Sequence, residues 1–207
     1  MSARILYGGS FDPPQTAHRF VATQALAHLP EAELVVIPAG DPPHKPAAEL
    51  APCADRVAMC RLAFAGLEHG RVSDEECRLP GPHYTYLALE RHRAELGADV
   101  PLYWLCGSDS LLALPGWKHP RRILELCDVI CVPRPGFDPD RLAGFDVFDA
   151  HERARLQAGV LPGEAPEVSA TEVRRRLSAG EPCGEWLSPE VFAYARARGL
   201  YGSGGVG

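Results

Sequence analysis

Short apolar runs alternate with amphipathic stretches along most of the chain. Apolar runs with the length of strands occupy residues 4–7, 34–38, 71–77, 102–106, 129–133 and, less clearly, 145–148. Apolar residues recur at helical spacing in segments 17–29, 54–67, 85–96, 121–126, 171–178 and 189–198. Because strands that alternate with helices form parallel sheets covered on both faces, the pattern predicts an α/β fold with a doubly wound parallel sheet.

A single domain accounts for this pattern. A chain of 207 residues is long enough to bury one α/β core and its composition marks no second one, so we assign residues 1–201 to one domain. Proline-rich stretches at 38–52 and 133–139 indicate surface loops, and 150–166 is interpreted as a variable excursion. Glycines dominate residues 202–207, which predicts a flexible tail.

Composition narrows the class of protein. The net charge is −6, and a chain without a basic stripe is not expected to bind nucleic acid. No apolar run approaches the ~18 residues that span a bilayer, and the N-terminus runs directly into the first predicted strand, so we expect no membrane association and a cytoplasmic protein. The seven cysteines form no C-x-x-C motif and are expected to be small buried side chains in a reducing compartment.

Candidate ligand-binding residues follow the predicted strands, since ligands of open parallel sheets bind beyond the carboxyl ends of the strands. Four such positions carry glycine, charge or a tight turn: residues 8–11, 39–45, 107–109 and Arg134. Their agreement is stronger evidence for one binding site than any of them alone.

The most informative segment reads G-G-S-F-D-P-P-Q-T-A-H, from Gly8 to His18. It joins the first predicted strand to the first helix, where glycine lets the backbone approach a ligand and the free N–H groups of the helix attract an anion. His18 lies in the first helical turn, able to donate a hydrogen bond to a phosphate or to carry a proton's charge there. The segment matches neither G-x-G-x-x-G nor G-x-x-x-x-G-K-[ST].

A second candidate anion site starts near Ser169. Either Ser169, in a capping box with Glu172, or Thr171 caps the helix that follows. Three arginines beginning at Arg174 lie at this helix start, whose partial positive charge disfavours them. They form either a solvated face or the cationic wall of an anion site.

These motifs resemble those of the bacterial nicotinate-nucleotide adenylyltransferases, within the (H/T)-x-G-H nucleotidyltransferase superfamily. Residues 168–174, V-S-A-T-E-V-R, are similar to the family's I-S-S-T-x-I-R motif, and six motifs match in order between residues 6 and 201. The resemblance implies a Rossmann-like sheet of the nucleotidyltransferase type. It also implies adenylyl transfer from ATP to nicotinate mononucleotide, giving deamido-NAD and pyrophosphate in NAD biosynthesis.

The resemblance assigns residues to ATP and to the transfer step. The ATP-binding residues that it implies are Gly8, Gly9, Ser10, Phe11, Gly107, Asp109, Arg134, Ser169 and Thr171. The catalytic residues that it implies are His18, Gln15, Lys45 and Arg174. Lys45, in P-P-H-K with His44 beside it, would reach the phosphates, although an isolated exposed lysine is usually only solvated. Arg134 either reaches the adenylate or pairs with a surface acid. Mg²⁺ is expected to arrive with ATP, with no metal site in the protein itself.

The resemblance assigns Thr85, Trp117 and Lys118 to the pyridine nucleotide. Most tryptophans belong to a hydrophobic core, but Trp117 lies in the turn P-G-W-K, where a large side chain is less often fully buried. In the family, the tryptophan of this motif stacks on the pyridine ring. Backbone N–H groups at Thr85 and Lys118 would hold the pyridine carboxylate. Two donors that face a carboxylate favour nicotinate over nicotinamide, whose amide brings its own N–H₂.

Two positions depart from the family's first motif, G-G-(T/S)-F-D-P-x-H-x-G-H. Gln15 replaces the first histidine and can donate a hydrogen bond without adding charge, and Ala17 replaces glycine close to the phosphates. Both changes predict a lower catalytic rate. The alternatives are the same fold acting on nicotinamide mononucleotide or phosphopantetheine, and a catalytically impaired adenylate sensor. The sequence leaves open whether the protein is a monomer or a homo-oligomer.

Overall fold

A five-stranded parallel sheet lies at the centre of the protein, in a computed structural model that describes residues 3–42 and 50–202. The strands are β1 (Ala3–Gly9), β2 (Ala32–Pro38), β3 (Gly70–Val72), β4 (Leu102–Gly107) and β5 (Asp128–Val132). Their spatial order is β3-β2-β1-β4-β5, and every pairing is parallel. The chain therefore changes winding direction between β1 and β4, where open sheets of this kind bind ligands. The predicted α/β parallel sheet is confirmed.

Both faces of the sheet are buried, which explains why its strands are continuously apolar. In β1, Ile5 and Tyr7 point into one core while Leu6 points into the other. In β4, Leu105 joins the first core and Trp104 the second. A parallel sheet enclosed in this way needs apolar residues at consecutive positions, because successive side chains face opposite layers.

Nine α-helices are present in the described part of the chain. They are α1 (Thr16–His28), α2 (Cys53–Ala63), α3 (Glu75–Arg78), α4 (Thr85–Leu96), α5 (Ser108–Ala113), α6 (Pro120–Leu126), α7 (Ala150–Ala158), α8 (Ala170–Ala179) and α9 (Pro189–Ala197). Helices α1, α2, α8 and α9 contribute to the first core, and α4 to α7 contribute to the second. The six predicted helices are all found, each within a few residues of its expected bounds.

Two predicted strands are wrong in part or entirely. The run at 71–77 continues β3 only to Val72, because Ser73 turns the chain and its hydroxyl accepts the Glu75 N–H at 3.3 Å to start α3. The run at 145–148 is no strand. Phe145 and Phe148 instead follow a 3₁₀ turn and pack into the second core.

The predicted excursion at 150–166 has regular structure. Its first part is α7, whose N-cap Asp149 accepts the Glu152 N–H while Glu152 accepts the Asp149 N–H. The chain then runs beside β5, where Cys131 donates to Gly159 and accepts from Leu161. This segment covers the open edge of the sheet and brings residues 165–166 to the ligand-binding end of β5.

The expectation for the cysteines is wrong for two of them. Cys53 of α2 and Cys77 of α3 form a disulfide, with Cα atoms 5.7 Å apart. The other five are free and buried, as expected. The sequence did not reveal the pair because 24 residues separate its members and only the packing of α3 beside the start of α2 brings them together. In residues 3–42 and 50–202, no helix is long and apolar enough to cross a membrane.

Candidate active site

Two adjoining clefts open at the carboxyl ends of the strands. The first, here the α8 cleft, has a volume of about 220 Å³ and lies between the loop after β1, the end of β5 and the start of α8. The second, the α4 cleft, has a volume of about 460 Å³ and lies between the same loop, the end of β2 and the start of α4. The residues that line both clefts are Gly8, Gly9, Ser10, Asp109 and Ser110. The loop after β1 is therefore the place where the contents of the two clefts would meet.

The structure sorts the residues predicted for the site between these clefts. Those that line the α8 cleft are Gly8, Gly9, Ser10, Phe11, His18, Gly107, Asp109, Arg134 and Arg174. Those that line the α4 cleft, besides the shared loop and Asp109, are Thr85, Trp117 and Lys118. Among the described residues, neither cleft is lined by Gln15, Ser169 or Thr171, whereas Ala170 lines the α8 cleft. Lys45 and its neighbour His44 lie outside the described residues.

Gly8 lines both clefts and is also required by packing. A Cβ atom at this position would lie 2.3 Å from Cη2 of Trp104, far inside van der Waals contact. The Trp104 indole lies under the loop and forms the floor of the α4 cleft. The sequence predicted that glycine here lets the backbone approach a ligand, and it did not reveal the contact with this ring.

Phe11 holds the loop against the first core. Its φ of +46° lies in the left-handed region, which is unfavourable for a bulky side chain, and its ring is buried. The ring packs edge-on against Tyr7, Phe64 and His18, with centroid distances of 5.3, 5.8 and 5.1 Å. These contacts over-determine the conformation of the loop, which is how a strained backbone persists at a functional site.

His18 faces the α8 cleft as a neutral donor. Its Nδ1 accepts the backbone N–H of Gln15 at 2.9 Å, so the ring proton is on Nε2. Burial, with a smaller contribution from the positive charge of Arg134, lowers the pKa of His18 to about 4. Of the two possibilities that the sequence left open, the structure therefore favours a hydrogen-bond donor over a fixed positive charge.

Gln15 is buried behind this turn. It is the N-cap of α1 and only 3% exposed. Its Nε2 has no hydrogen-bond partner among the residues that the structure describes. A buried amide donor left unpaired is costly, so this group is available to an acceptor that enters the site.

Arg174 reaches the α8 cleft from the first turns of α8. Its guanidinium donates to the main-chain oxygen of Asp12 at 2.9 Å and lies 3.9 Å from the carboxylate of the same residue. It also donates to the Thr171 hydroxyl at 3.4 Å. Ser169 caps α8 by accepting the Glu172 N–H at 3.3 Å. The hydroxyls of Ser169 and Thr171 thus accept hydrogen bonds from α8 itself, while the Arg174 guanidinium is held against the loop after β1.

Arg56 is a site-building residue that the sequence analysis missed. This side chain of α2 is 1% exposed. It donates to the carbonyl oxygens of Ser10 at 2.8 Å, Ala51 at 2.9 Å and Gly40 at 3.5 Å. One guanidinium therefore joins the loop after β1 to described residues on both sides of segment 43–49, in whose sequence Lys45 lies. An arginine inside a helical segment gives no sequence signal for this role.

The α4 cleft combines aromatic rings with the exposed start of a helix. The half-buried ring of Trp117 meets Trp104 edge-on at a centroid distance of 6.4 Å. Thr85 is the first residue of α4, and the N-cap Tyr84 provides no side-chain hydrogen bond to the free N–H groups of that turn. A flat apolar ring beside unpaired N–H donors suits an aromatic ligand that carries an anionic substituent.

Two titratable side chains in the α4 cleft were not predicted. Glu76 of α3 is buried, and burial raises its pKa to about 7 although Arg91 lies 3.7 Å away. His83, also buried, precedes α4, and burial lowers its pKa. Both pack against Gly40, where a Cβ atom would lie 2.1 Å from the Glu76 carbonyl oxygen. Gly40 therefore lets the end of β2 lie directly against this wall of the cleft.

Asp109 and Arg134 form an ion pair beside the junction of the clefts, with N–O contact at 3.1 Å. The backbone N–H of Arg134 donates to the buried hydroxyl of Ser108 at 3.1 Å, which fixes the end of β5. The sequence left open whether Arg134 reaches the adenylate or pairs with a surface acid. In the structure it pairs with an acid, Asp109, which was itself predicted to bind the nucleotide. Both side chains still line the α8 cleft.

Known proteins resemble this chain over nearly its whole length. The cytidylyltransferase-like family pattern matches residues 6–176. A protein of Chromobacterium violaceum named a probable nicotinate-nucleotide adenylyltransferase is 37% identical, over 97% of this chain and all of its own. One of the same name from Thermomicrobium roseum is 35% identical, over 97% of this chain and 92% of its own.

Solved structures share the fold. Nicotinic acid mononucleotide adenylyltransferase of Plasmodium falciparum, complexed with NaAD, superimposes with a TM-score of 0.73 at 18% identity, covering 97% of this chain and 98% of that one. A putative nicotinate-nucleotide adenylyltransferase of Vibrio parahaemolyticus gives a TM-score of 0.67 at 19% identity, covering 97% and 96%.

Proposed function

Because the chain belongs to the nicotinate-nucleotide adenylyltransferase family, within the cytidylyltransferase-like proteins, we propose that it transfers the adenylyl group of ATP to nicotinate mononucleotide. The products are deamido-NAD and pyrophosphate. One observation carries the proposal: two clefts of different character meet at residues 8–10, where β1 ends and the following loop begins. Substrates bound one in each cleft would have their phosphates side by side at this loop, as a transfer between two phosphate-bearing molecules requires.

The chemistry needs no side-chain nucleophile. A phosphate oxygen of the mononucleotide attacks the α-phosphorus of ATP, the bond from that phosphorus to the bridging oxygen breaks, and pyrophosphate leaves. A phosphate monoester has a second pKa of roughly 6 and is already anionic at neutral pH. The work of the protein is to align the two anions and to neutralise charge on the leaving group. We also propose that the reaction takes place in the cytoplasm.

The α8 cleft supplies the groups for this neutralisation. Arg174, fixed by Asp12, would pair with the pyrophosphate, and the Nε2–H of His18 would donate to the α-phosphate or the leaving group. Lys45 would add a second cation, and Gln15 would contribute its free amide donor. In the described part of the chain no group of three or more His, Cys, Asp or Glu side chains could hold a metal ion. Mg²⁺ is usually bound by substrate phosphates together with one or two carboxylates, and we propose that it enters as MgATP.

The α4 cleft would select the acceptor. Trp117 would stack on the pyridine ring, and the N–H groups of Thr85 and Lys118 would hold its carboxylate. Two converging donors stabilise a carboxylate but meet the N–H₂ group of nicotinamide unfavourably. We therefore expect a preference for nicotinate mononucleotide over nicotinamide mononucleotide.

The first experiment is Mg²⁺-dependent pyrophosphate release from ATP, with nicotinate mononucleotide, nicotinamide mononucleotide and phosphopantetheine assayed in parallel. A strong preference for the first acceptor supports the proposal. A preference for another acceptor would keep the fold and refute the assignment of the α4 cleft. ATP binding without release for any acceptor would favour the adenylate sensor.

A pair of variants tests the carboxylate site directly. Lys118→Pro removes the backbone N–H, while Lys118→Ala keeps it and removes only the side chain. The preceding Trp117, at φ −73° and ψ 161°, already has the extended conformation that a following proline requires. The proline variant should lose most of the preference for nicotinate, and the alanine variant should retain it. Equal preferences in the two variants would show that this N–H does not bind the carboxylate.

A further inference from the structure

Tyr201 contacts the site from the far end of the chain. After α9 the backbone passes through Gly199 and places Tyr201 at a φ of +64°, in the left-handed region that tyrosine rarely adopts. Its hydroxyl donates to Oδ1 of Asp12 at 2.7 Å, across 189 residues of sequence. An unfavourable backbone conformation that ends in a short hydrogen bond to a carboxylate indicates that this contact constrains the terminus.

The oxygen atoms of Asp12 accept hydrogen bonds from three distant parts of the chain, at Tyr201, Ala51 and Arg174. Besides Tyr201, Oδ1 accepts the backbone N–H of Ala51 at 3.1 Å. The main-chain oxygen accepts Arg174 at 2.9 Å, and Oδ2 lies 3.9 Å from the same guanidinium. Asp12 is 4% exposed, and Oδ2 has no hydrogen-bond partner within the described residues. With Oδ1 committed to two donors, the carboxylate is held with Oδ2 directed at Arg174.

We propose that Tyr201 is a positioning residue for the transfer reaction, orienting Arg174 through Asp12. The inference rests on the proposed function, since it assigns Arg174 to the leaving pyrophosphate. Without the hydroxyl, Asp12 keeps only the Ala51 N–H on Oδ1 and its carboxylate can rotate. The guanidinium then keeps its charge and its hydrogen bond to the main-chain oxygen of Asp12, but no longer faces a fixed carboxylate oxygen, which loosens its alignment with the pyrophosphate. Alignment matters at the transition state more than in ground-state binding.

The hydroxyl remains a donor throughout the working pH range. Burial and the negative charge of Asp12 raise the pKa of Tyr201 above its usual range, while Arg174 and Arg56 oppose this shift. The hydroxyl is therefore protonated, and able to donate to Asp12, at the pH of the assays below.

The test compares Tyr201→Phe with Tyr194→Phe. Tyr194 of α9 donates to Oδ1 of Asp55 at 2.8 Å, a similar tyrosine–aspartate hydrogen bond with neither residue in the walls of the two clefts. We expect Tyr201→Phe to lower kcat roughly tenfold and to leave the KM for nicotinate mononucleotide within about twofold. Tyr194→Phe should leave both constants unchanged. All variants are assayed well below their thermal midpoints, so that unfolding does not contribute.

Arg174→Lys provides the second readout. A lysine keeps the charge but lacks the fork that Asp12 orients. In this background Tyr201→Phe should cost less than about twofold in kcat, because the residue through which it acts is gone. A full tenfold loss on top of Arg174→Lys would overturn the proposal, as would a Tyr201→Phe enzyme with the kcat of the wild type. Absence of transfer by the wild-type enzyme would instead refute the proposed function.

Discussion

Replacing Arg56 with methionine tests whether one buried guanidinium holds the site together. The substitution keeps most of the side-chain volume and removes the donors to Ser10, Ala51 and Gly40. The two short bonds, to Ser10 and Ala51, come from a charged donor, for which net contributions are about 1.5–3 kcal/mol each. Removing a buried charge returns part of its desolvation free energy, which leaves an expected loss of roughly 3–4 kcal/mol in the free energy of unfolding. For a domain of this size that lowers the thermal midpoint by roughly 10 °C.

Arg19→Met is the matched control. Arg19 of α1 also donates to two main-chain carbonyls, those of Ala63 and Ala65, both at 2.8 Å, but it is only partly buried. Water can replace its donors, so this variant should lose less than about 1 kcal/mol. Denaturant unfolding of the wild type and both variants gives the comparison. Since Ser10 lines both clefts, Arg56→Met should also raise the KM for both substrates at a temperature where it is folded. Unfolding free energies within 1 kcal/mol of each other for the two variants would refute the reasoning.

Four further predictions concern the site and the disulfide. Gly8→Ala would place a methyl group 2.3 Å from the Trp104 ring, so it should cost roughly 1–3 kcal/mol of stability and raise the KM for the acceptor; a variant as stable as the wild type in urea would contradict the packing argument. His18→Ala should lower kcat on the order of 10²–10³-fold with little change in the acceptor KM. The pKa of His18 is about 4, and the acceptor phosphate, whose pKa is roughly 6, titrates with either enzyme, so kcat/KM of the wild type and of the variant should depend on pH in the same way between pH 6 and 8. An inflection near 6.5 in the wild type alone would contradict a neutral donor. The pKa of His18 is about 4 in the folded protein and about 6.5 in the unfolded chain, so between these pH values the unfolded chain binds more protons. The free energy of unfolding should therefore be highest above pH 6.5 and decrease as the pH falls toward 4. In denaturant unfolding, His18→Gln should show a smaller decrease over this range. Reducing the Cys53–Cys77 disulfide, whose members are 24 residues apart, should cost roughly 2–4 kcal/mol, and equal thermal midpoints with and without dithiothreitol would show that it does not stabilise the fold.

The local pattern predicted the fold where local physics decides it. Residues 4–7 and 102–106 are recognisable as strands because a doubly covered sheet needs consecutive apolar side chains. The run at 145–148 is also apolar, but Phe145 and Phe148 pack into the second core from the irregular chain that follows a 3₁₀ turn. Burial fixes which residues are apolar, and long-range packing determines whether they form a strand.

The candidate site divides in the same way. The segment from Gly8 to His18 and the helix start at 169–174 are visible as motifs, because a phosphate site needs glycine, free N–H groups and cations in a short stretch. The sequence therefore determined the family, the reaction class and the approximate place of ligand binding. It could not reveal that Gly8 packs against Trp104.

Only the tertiary structure decided how the segments of the site are positioned relative to one another. Arg56 lies in a helical segment with no distinguishing pattern, yet it binds carbonyls on both sides of segment 43–49. Asp12 and Tyr201 are 189 residues apart and meet through one hydrogen bond. Such contacts leave no periodic trace, because each depends on a single pair of atoms brought together by the packing of whole helices on the sheet. The sequence specified the chemical groups of the site, and the folded chain fixed the distances at which they can act together.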